Sequence, residues 1–150
     1  MTAANAYPVQ IENTARYFYW NHLLGFVLIG GWFFGLGIVA AVVYAFTLGR
    51  TLPGRQARAL NFRLEGATLR ADSGVYFLKR KSIPLDRVTD FALVQGPLLR
   101  WCGIWSLQVQ TAGAGGQSIA EATLVGLERP EAVRDELLRA RDACVGRARA

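Results

Sequence analysis

One histidine, two cysteines and one methionine are all the imidazole and sulfur ligands this chain carries. Cys102 and Cys144 lie far apart, and with His22 as the single imidazole they make no zinc-ligand spacing. The same scarcity leaves a serine or cysteine nucleophile without a base, and no serine stands in a GxSxG setting. Asp86 and Asp90 are the close acid pair, but on extended backbone four residues span about 13 Å, too far to share a proton. Gly113-Ala-Gly-Gly116 lacks the GK[ST] that a phosphate-cradling loop needs. No catalytic residue, cofactor or metal is therefore expected, and the chain reads as a non-enzyme.

Acidic residues are also few, 11 against 17 basic ones, giving a net charge of +6. The excess is almost all arginine, with Lys79 and Lys81 the exceptions. Arginine richness has two readings: a compositional bias, or attraction to an anionic surface such as phospholipid or nucleic acid. Nothing resembles a nucleic-acid-binding motif, so nucleic acid is disfavoured as a partner.

Against these absences stands one long presence, the uncharged run Leu23–Leu48. As one helix it would extend roughly 39 Å, more than the ~30 Å hydrocarbon core of a bilayer. No polar face recurs at helical spacing, so the run reads as a membrane segment rather than a core helix. Tyr17–Trp20 at one end, with Tyr44 and Phe46 near the other, have the composition of interfacial belts, and His22 falls within the first. The preceding residues lack the basic start of a signal peptide, so a retained anchor is expected. Gly31 and Gly35 stand at the GxxxG spacing that lets helices approach. Glycines at 30, 31, 35 and 37 also permit a re-entrant hairpin, with legs of about 12 residues reaching roughly 18 Å. A single span is the favoured expectation. Arg50, Arg55 and Arg58 follow the run closely, which places the C-terminal part on the cytoplasmic side and the tail outside if the helix crosses once. Both cysteines then sit in a reducing compartment as buried thiols.

Residues 1–16 show no periodicity and read as a loose tail. Pro53-Gly54 opens a linker to residue 59. Short alternating segments follow: 61–64, a turn at Glu65-Gly66, 68–70, another turn at Asp72-Ser73-Gly74, then Val75–Lys79. Thr89–Leu93, Ile104–Thr111 and Ser118–Val125 are further strands, with the glycine-rich Ala112–Gln117 as a connection. From Pro130 the period changes: Val133, Leu137, Ala140 and Cys144 share one helical face, with acids early and arginines late.

The segment Ile83–Gly113 carries a resemblance. Ile83-Pro84-Leu85-Asp86, Val88-Thr89-Asp90, Gln95-Gly96-Pro97, Gly103-Ile104 and Thr111-Ala112-Gly113 occur in the order seen in bacterial pleckstrin-homology-like membrane proteins. With the preceding apolar run and the closing helix, the resemblance covers about 120 residues. It implies two nearly orthogonal antiparallel sheets capped by the C-terminal helix, and a membrane-associated interaction or scaffold module without catalytic residues. The expected architecture is thus a membrane-anchored, mainly-β chain. Residues 1–16 are a tail, 17–49 a transmembrane helix or re-entrant hairpin, and 50–59 a linker. Residues 60–145 form a PH-like barrel or sandwich of about seven short antiparallel strands with a capping α-helix, and 146–150 a tail.

Two surfaces are candidates for contact. Lys79, Arg80 and Lys81, helped by Arg50, Arg55 and Arg58, are either a solvated turn or a contact for anionic headgroups. Leu98, Leu99, Arg100 and Trp101 have the composition of a protein-contact anchor, or else pack under the barrel or on the bilayer. Gly31 and Gly35 are the helix-packing candidates. The expected partners are the bilayer and a membrane protein or a second copy, at the cytoplasmic face of a bacterial inner membrane. Protein interaction or scaffolding is the first reading of function, and an anionic-lipid-surface sensor is the second.

Overall fold

The computed structural model describes residues 5–31, 36–112 and 118–149. Within them, seven strands form two antiparallel sheets. The first contains β1 (Asn5–Tyr7), β2 (Asn61–Glu65), β3 (Thr68–Ser73) and β4 (Lys79–Pro84) in that order. The second is β5 (Val88–Val94), β6 (Ser106–Ala112) and β7 (Ser118–Val125). Alternation builds both: Phe62 and Leu64, Leu69 and Ala71, and Leu107 and Val109 point inward. Gly66, at φ +61°, makes the tight β2–β3 turn. Val133 and Leu137 from the C-terminal helix (Pro130–Arg149) close the same core. The sheet-rich fold with a closing helix is the one expected.

The apolar run departs from the favoured expectation. It forms no continuous helix. A helix α1 (Ile11–Gly31) ends within the glycine cluster, and α2 (Leu36–Phe46) starts after it. His22 Nδ1 and the Tyr44 hydroxyl are 2.8 Å apart, and the Phe26 and Tyr44 rings 5.4 Å. In one straight helix residues 22 and 44 would be separated by roughly 33 Å. The two helices therefore run antiparallel, as a hairpin. Glycine disfavours helix by about 1 kcal/mol per residue, and several close together allow the chain to turn back.

Sheet pairing excludes a single crossing independently. β1 precedes the run and β2 follows it, yet Asn5 pairs with Leu64 and Tyr7 with Phe62. One crossing between them would put a bilayer between hydrogen-bonded strands. The expectation of a tail on the opposite side fails for the same reason, and so does that of a loose tail. β1 is an edge strand whose Asn5 donates to Glu136 Oε1 at 2.7 Å, and α1 already begins at Ile11. A three-residue strand made by long-range pairing leaves no local period to read.

Other segments differ locally. The 50–59 linker is largely helix α3 (Leu52–Arg58), with proline tolerated in its first turn and Pro53 and Ala57 buried. Val75–Lys79 is not a strand: β4 starts at Lys79, paired with Ser73, and residues 74–78 form the loop. Leu98–Trp101 is not a loop but the end of a short helix, α4 (Pro97–Trp101). Leu85–Arg87 makes a 3-10 turn, so Asp86 and Asp90 share no continuous strand. Gly103 is required by its φ of +70° rather than by crowding, since no atom lies within 4 Å of an added Cβ. The final helix, α5 in chain order, runs Pro130–Arg149, past the residue 145 expected. Residues 113–117 of the glycine-rich connection lie outside the described residues, as does Gly35.

A hydrogen-bonded junction ties the start of α1 to the second sheet. Gln10 N–H donates to the Gly126 carbonyl at 2.7 Å, and Gly126 N–H to the Trp105 carbonyl at 3.0 Å. Gly126 has φ +76°, and a methyl there would overlap the Thr14 hydroxyl, which is fully buried. Val9 and Leu127 form an isolated bridge beside it.

Candidate functional site

The outer faces of the helical hairpin are apolar and uncovered. Leu28, Leu36 and Phe46 are 68, 67 and 75% exposed, and Leu24, Val39 and Val43 are exposed with them. Soluble chains rarely leave a contiguous apolar surface of this extent in water. The hairpin is held internally by a polar and aromatic knot, in which His22 bonds Tyr44 and the rings of Tyr19 and Phe26 pack on Tyr44. An added Cβ at Gly49 would sit 2.8 Å from the Tyr19 ring, so that turn accepts little beyond glycine. No single helix among the described residues is long and apolar enough to cross a membrane. Leu36–Phe46 with Leu48–Arg58 passes only as a pair bent by 53°.

α1 leaves the sheet domain at Trp20, whose ring meets Trp101 of α4 edge to face at 5.1 Å. Beyond Trp20, α1 extends for about 16 Å, and α2, with 11 residues, for about the same. Each leg reaches roughly half the ~30 Å hydrocarbon thickness.

The basic candidates all lie on the surface: Arg50, Arg55, Arg58, Lys79, Arg80 and Lys81 are exposed. The register brings Arg58 and the 79–81 run to one end of the first sheet. Asn61, three residues after Arg58, pairs with Asp72, and Asp72 pairs with Arg80. At ~4.8 Å per strand, Asn61 and Arg80 are about 10 Å apart. Arg63 and Arg70 on the same sheet are neutralised, Arg63 by Asp72 at 2.9 Å and Arg70 by Glu65 at 2.8 Å. Among the described residues Lys79 and Arg80 have no ion-pair partner, and Lys81 Nζ donates to the Glu121 carbonyl. A cleft of about 280 Å³ between the edges of β4 and β7 is lined by Lys79 and Lys81 but also by Glu121, so its charge is mixed.

The candidate protein-contact residues split. Arg100 and Trp101 are exposed, Trp101 at 60%, while Leu98 and Leu99 are half-buried. Cys102 behind them is buried, and burial pushes its thiol above the ordinary value against the pull of Arg16, so it holds no resting thiolate. Both cysteines are free, with Cys144 only half-buried. Gly31 closes α1 at the turn of the hairpin.

One group escaped sequence reasoning. Tyr76, Phe77 and Leu78, at the tip of the β3–β4 loop, are 70, 83 and 74% exposed. The signal was present: Val75 to Leu78 is continuously apolar, whereas a half-buried strand alternates. Reading the segment as a strand hid it.

A family model described as bacterial PH domain matches residues 21–141. Comparison with curated proteins and with solved structures gives no match.

Proposed function

The chain belongs to the bacterial PH domain family, whose members are binding or scaffolding modules, and on that premise we propose that it is a non-enzymatic module held on a membrane by a re-entrant hairpin. The observation that carries this reading is the pairing of β1 with β2 around an uncovered apolar hairpin. Each leg is about half a bilayer long, so the hairpin enters and returns on the side of the sheets. Burial of one exposed Leu, Val or Phe side chain contributes about 1.5–3 kcal/mol, and several act together here. Arg50, Arg55 and Arg58 at the hairpin's base favour the cytoplasmic face of a bacterial inner membrane.

Topology mapping tests this directly. Tags at the N- and C-termini will both resist protease added to the outside of spheroplasts and both be cut after lysis. An N-terminal tag cut from outside would restore a single crossing and overturn the reading.

The module acts by holding a protein, either a membrane protein or a second copy. Support comes from α4, where Trp101 is largely exposed beside Arg100 at the level where α1 leaves the sheets. Large aromatic and arginine side chains dominate protein contacts, and losing one costs about 2 kcal/mol or more. Arg100→Ala with Trp101→Ala will therefore reduce the mass of the complex extracted in mild detergent, while the chain remains folded. An unchanged complex excludes α4 as the contact. The alternative, contact with an anionic lipid surface through Lys79, Arg80 and Lys81, is favoured by their lack of acidic partners.

A further inference from the structure

We propose that the β3–β4 loop is a second membrane contact, in which Tyr76, Phe77 and Leu78 enter the interface of an anionic phospholipid bilayer and Lys79, Arg80 and Lys81 hold its headgroups. The proposal rests on the hairpin anchor, which brings the loop to the surface.

Three adjacent large apolar side chains stand out from the tip with 70, 83 and 74% of their surface in water. Such exposure is unfavourable unless something apolar covers the tip. The loop is also preformed. Gly74 has φ +102°, and a methyl group there would fall on the Phe77 carbonyl, so the backbone folds back on itself beneath the tip. Insertion then demands little new ordering of the loop.

Charge selects the occupant. The apolar tip runs straight into three exposed cations, a sequence of greasy end and basic collar that matches the depth profile of an anionic leaflet. Arginines one and two strands away are neutralised by Glu65 and Asp72, whereas Lys79, Arg80 and Lys81 make no ion pair among the described residues, Asp72 opposite Arg80 being engaged by Arg63. Their charge is left for a partner. A tyrosine at one edge of the tip suits the headgroup level, where an amphipathic ring is favoured.

Position completes the argument. Ser73 pairs with Lys79, so the loop leaves the end of the first sheet at which Asn61 also lies, directly after α3 and its arginines. Tyr7, shortly before α1, pairs with Phe62, so the segments that lead to and from the hairpin share this end of the first sheet with the loop. A second attachment point would add to the hold of the hairpin and resist tilting of the domain about it.

Chymotrypsin, which cuts after Tyr, Phe and Leu, provides the test on the full-length chain in nanodiscs. In discs containing phosphatidylglycerol, cleavage at 76–78 will be at least about tenfold slower than in phosphatidylcholine discs, from roughly fivefold per favourable headgroup contact. High salt, and the variant Lys79→Gln, Arg80→Gln, Lys81→Gln, will both remove the difference. A Phe77→Trp chain will in addition be quenched by brominated phosphatidylglycerol. Equal cleavage in the two discs while the chain co-migrates with them overturns the loop proposal and leaves the hairpin intact. Protection that appears only with an added protein extract, in either lipid, also overturns it in favour of a protein partner. A chain that leaves both discs overturns the anchor and this proposal with it.

Discussion

Val39→Asp combined with Val43→Asp will release the chain from the membrane pellet into the soluble fraction. The two valines are 61 and 56% exposed and stand one turn apart on the outer face of α2, so neither contributes much to packing within the chain. In water, such substitutions would stay within about 0.5 kcal/mol of neutral. In lipid, each aspartate costs about 2.5–3.5 kcal/mol at full depth and somewhat less halfway. Together they oppose insertion by about 5 kcal/mol, a shift of more than a thousandfold in partitioning. Flotation of the variant and wild-type chains in a density gradient reads this out, with circular dichroism reporting that the sheets persist. Should the double variant float with the membranes as the wild type does, the outer face of α2 does not meet lipid.

Gly126→Ala is expected to lower the stability of the chain by about 3 kcal/mol, the scale of strain at a left-handed position combined with a steric clash. Gly126 has φ +76°, and the new methyl would displace the Thr14 side chain at the start of α1. Both polar groups of its backbone are committed, the carbonyl to Gln10 and the N–H to Trp105. Relief by a local shift would therefore break a hydrogen bond on one side or the other. Gly25→Ala is the matching control, because nothing lies within 4 Å of its added Cβ and a helix prefers alanine. Urea unfolding in detergent, followed by circular dichroism, separates the two. Equal midpoints for both variants would mean that the hairpin and the sheets are not coupled through this junction.

If the hairpin is the anchor proposed above, this junction gives the anchor an orientation. α1 is held at its start by the Gln10 hydrogen bond to Gly126, at Trp101 by ring contact and along α3 by packing. A module so fixed presents the same face of its sheets to whatever it binds. A flexible linker, which residues 50–59 resemble in composition, would have left that face free to turn.

Much was legible in the chain itself. Alternation in 61–71 and 104–111 specified strands because one face of each must leave water, and that requirement acts residue by residue. Val133 and Leu137 announced the closing helix in the same way. The absence of charge from Leu23 to Leu48 marked the apolar segment, and the exposed basic run at 79–81 marked a surface. These are local properties, and a local pattern records them.

Only the tertiary structure decided how the segment is used. Hydropathy reports that 23–48 avoids water but not whether it continues or turns back. That choice was made by β1, three residues with no period of their own, whose pairing with β2 closes the chain around the hairpin. The tip at Tyr76–Leu78 was misread for a related reason: strand and loop share composition there, and only the register of Ser73 with Lys79 separates them. Pairing between residues distant in sequence depends on geometry that no window of neighbouring residues contains. The segment's chemistry is thus written in its side chains, and its topology in the hydrogen bonds of a strand far from it.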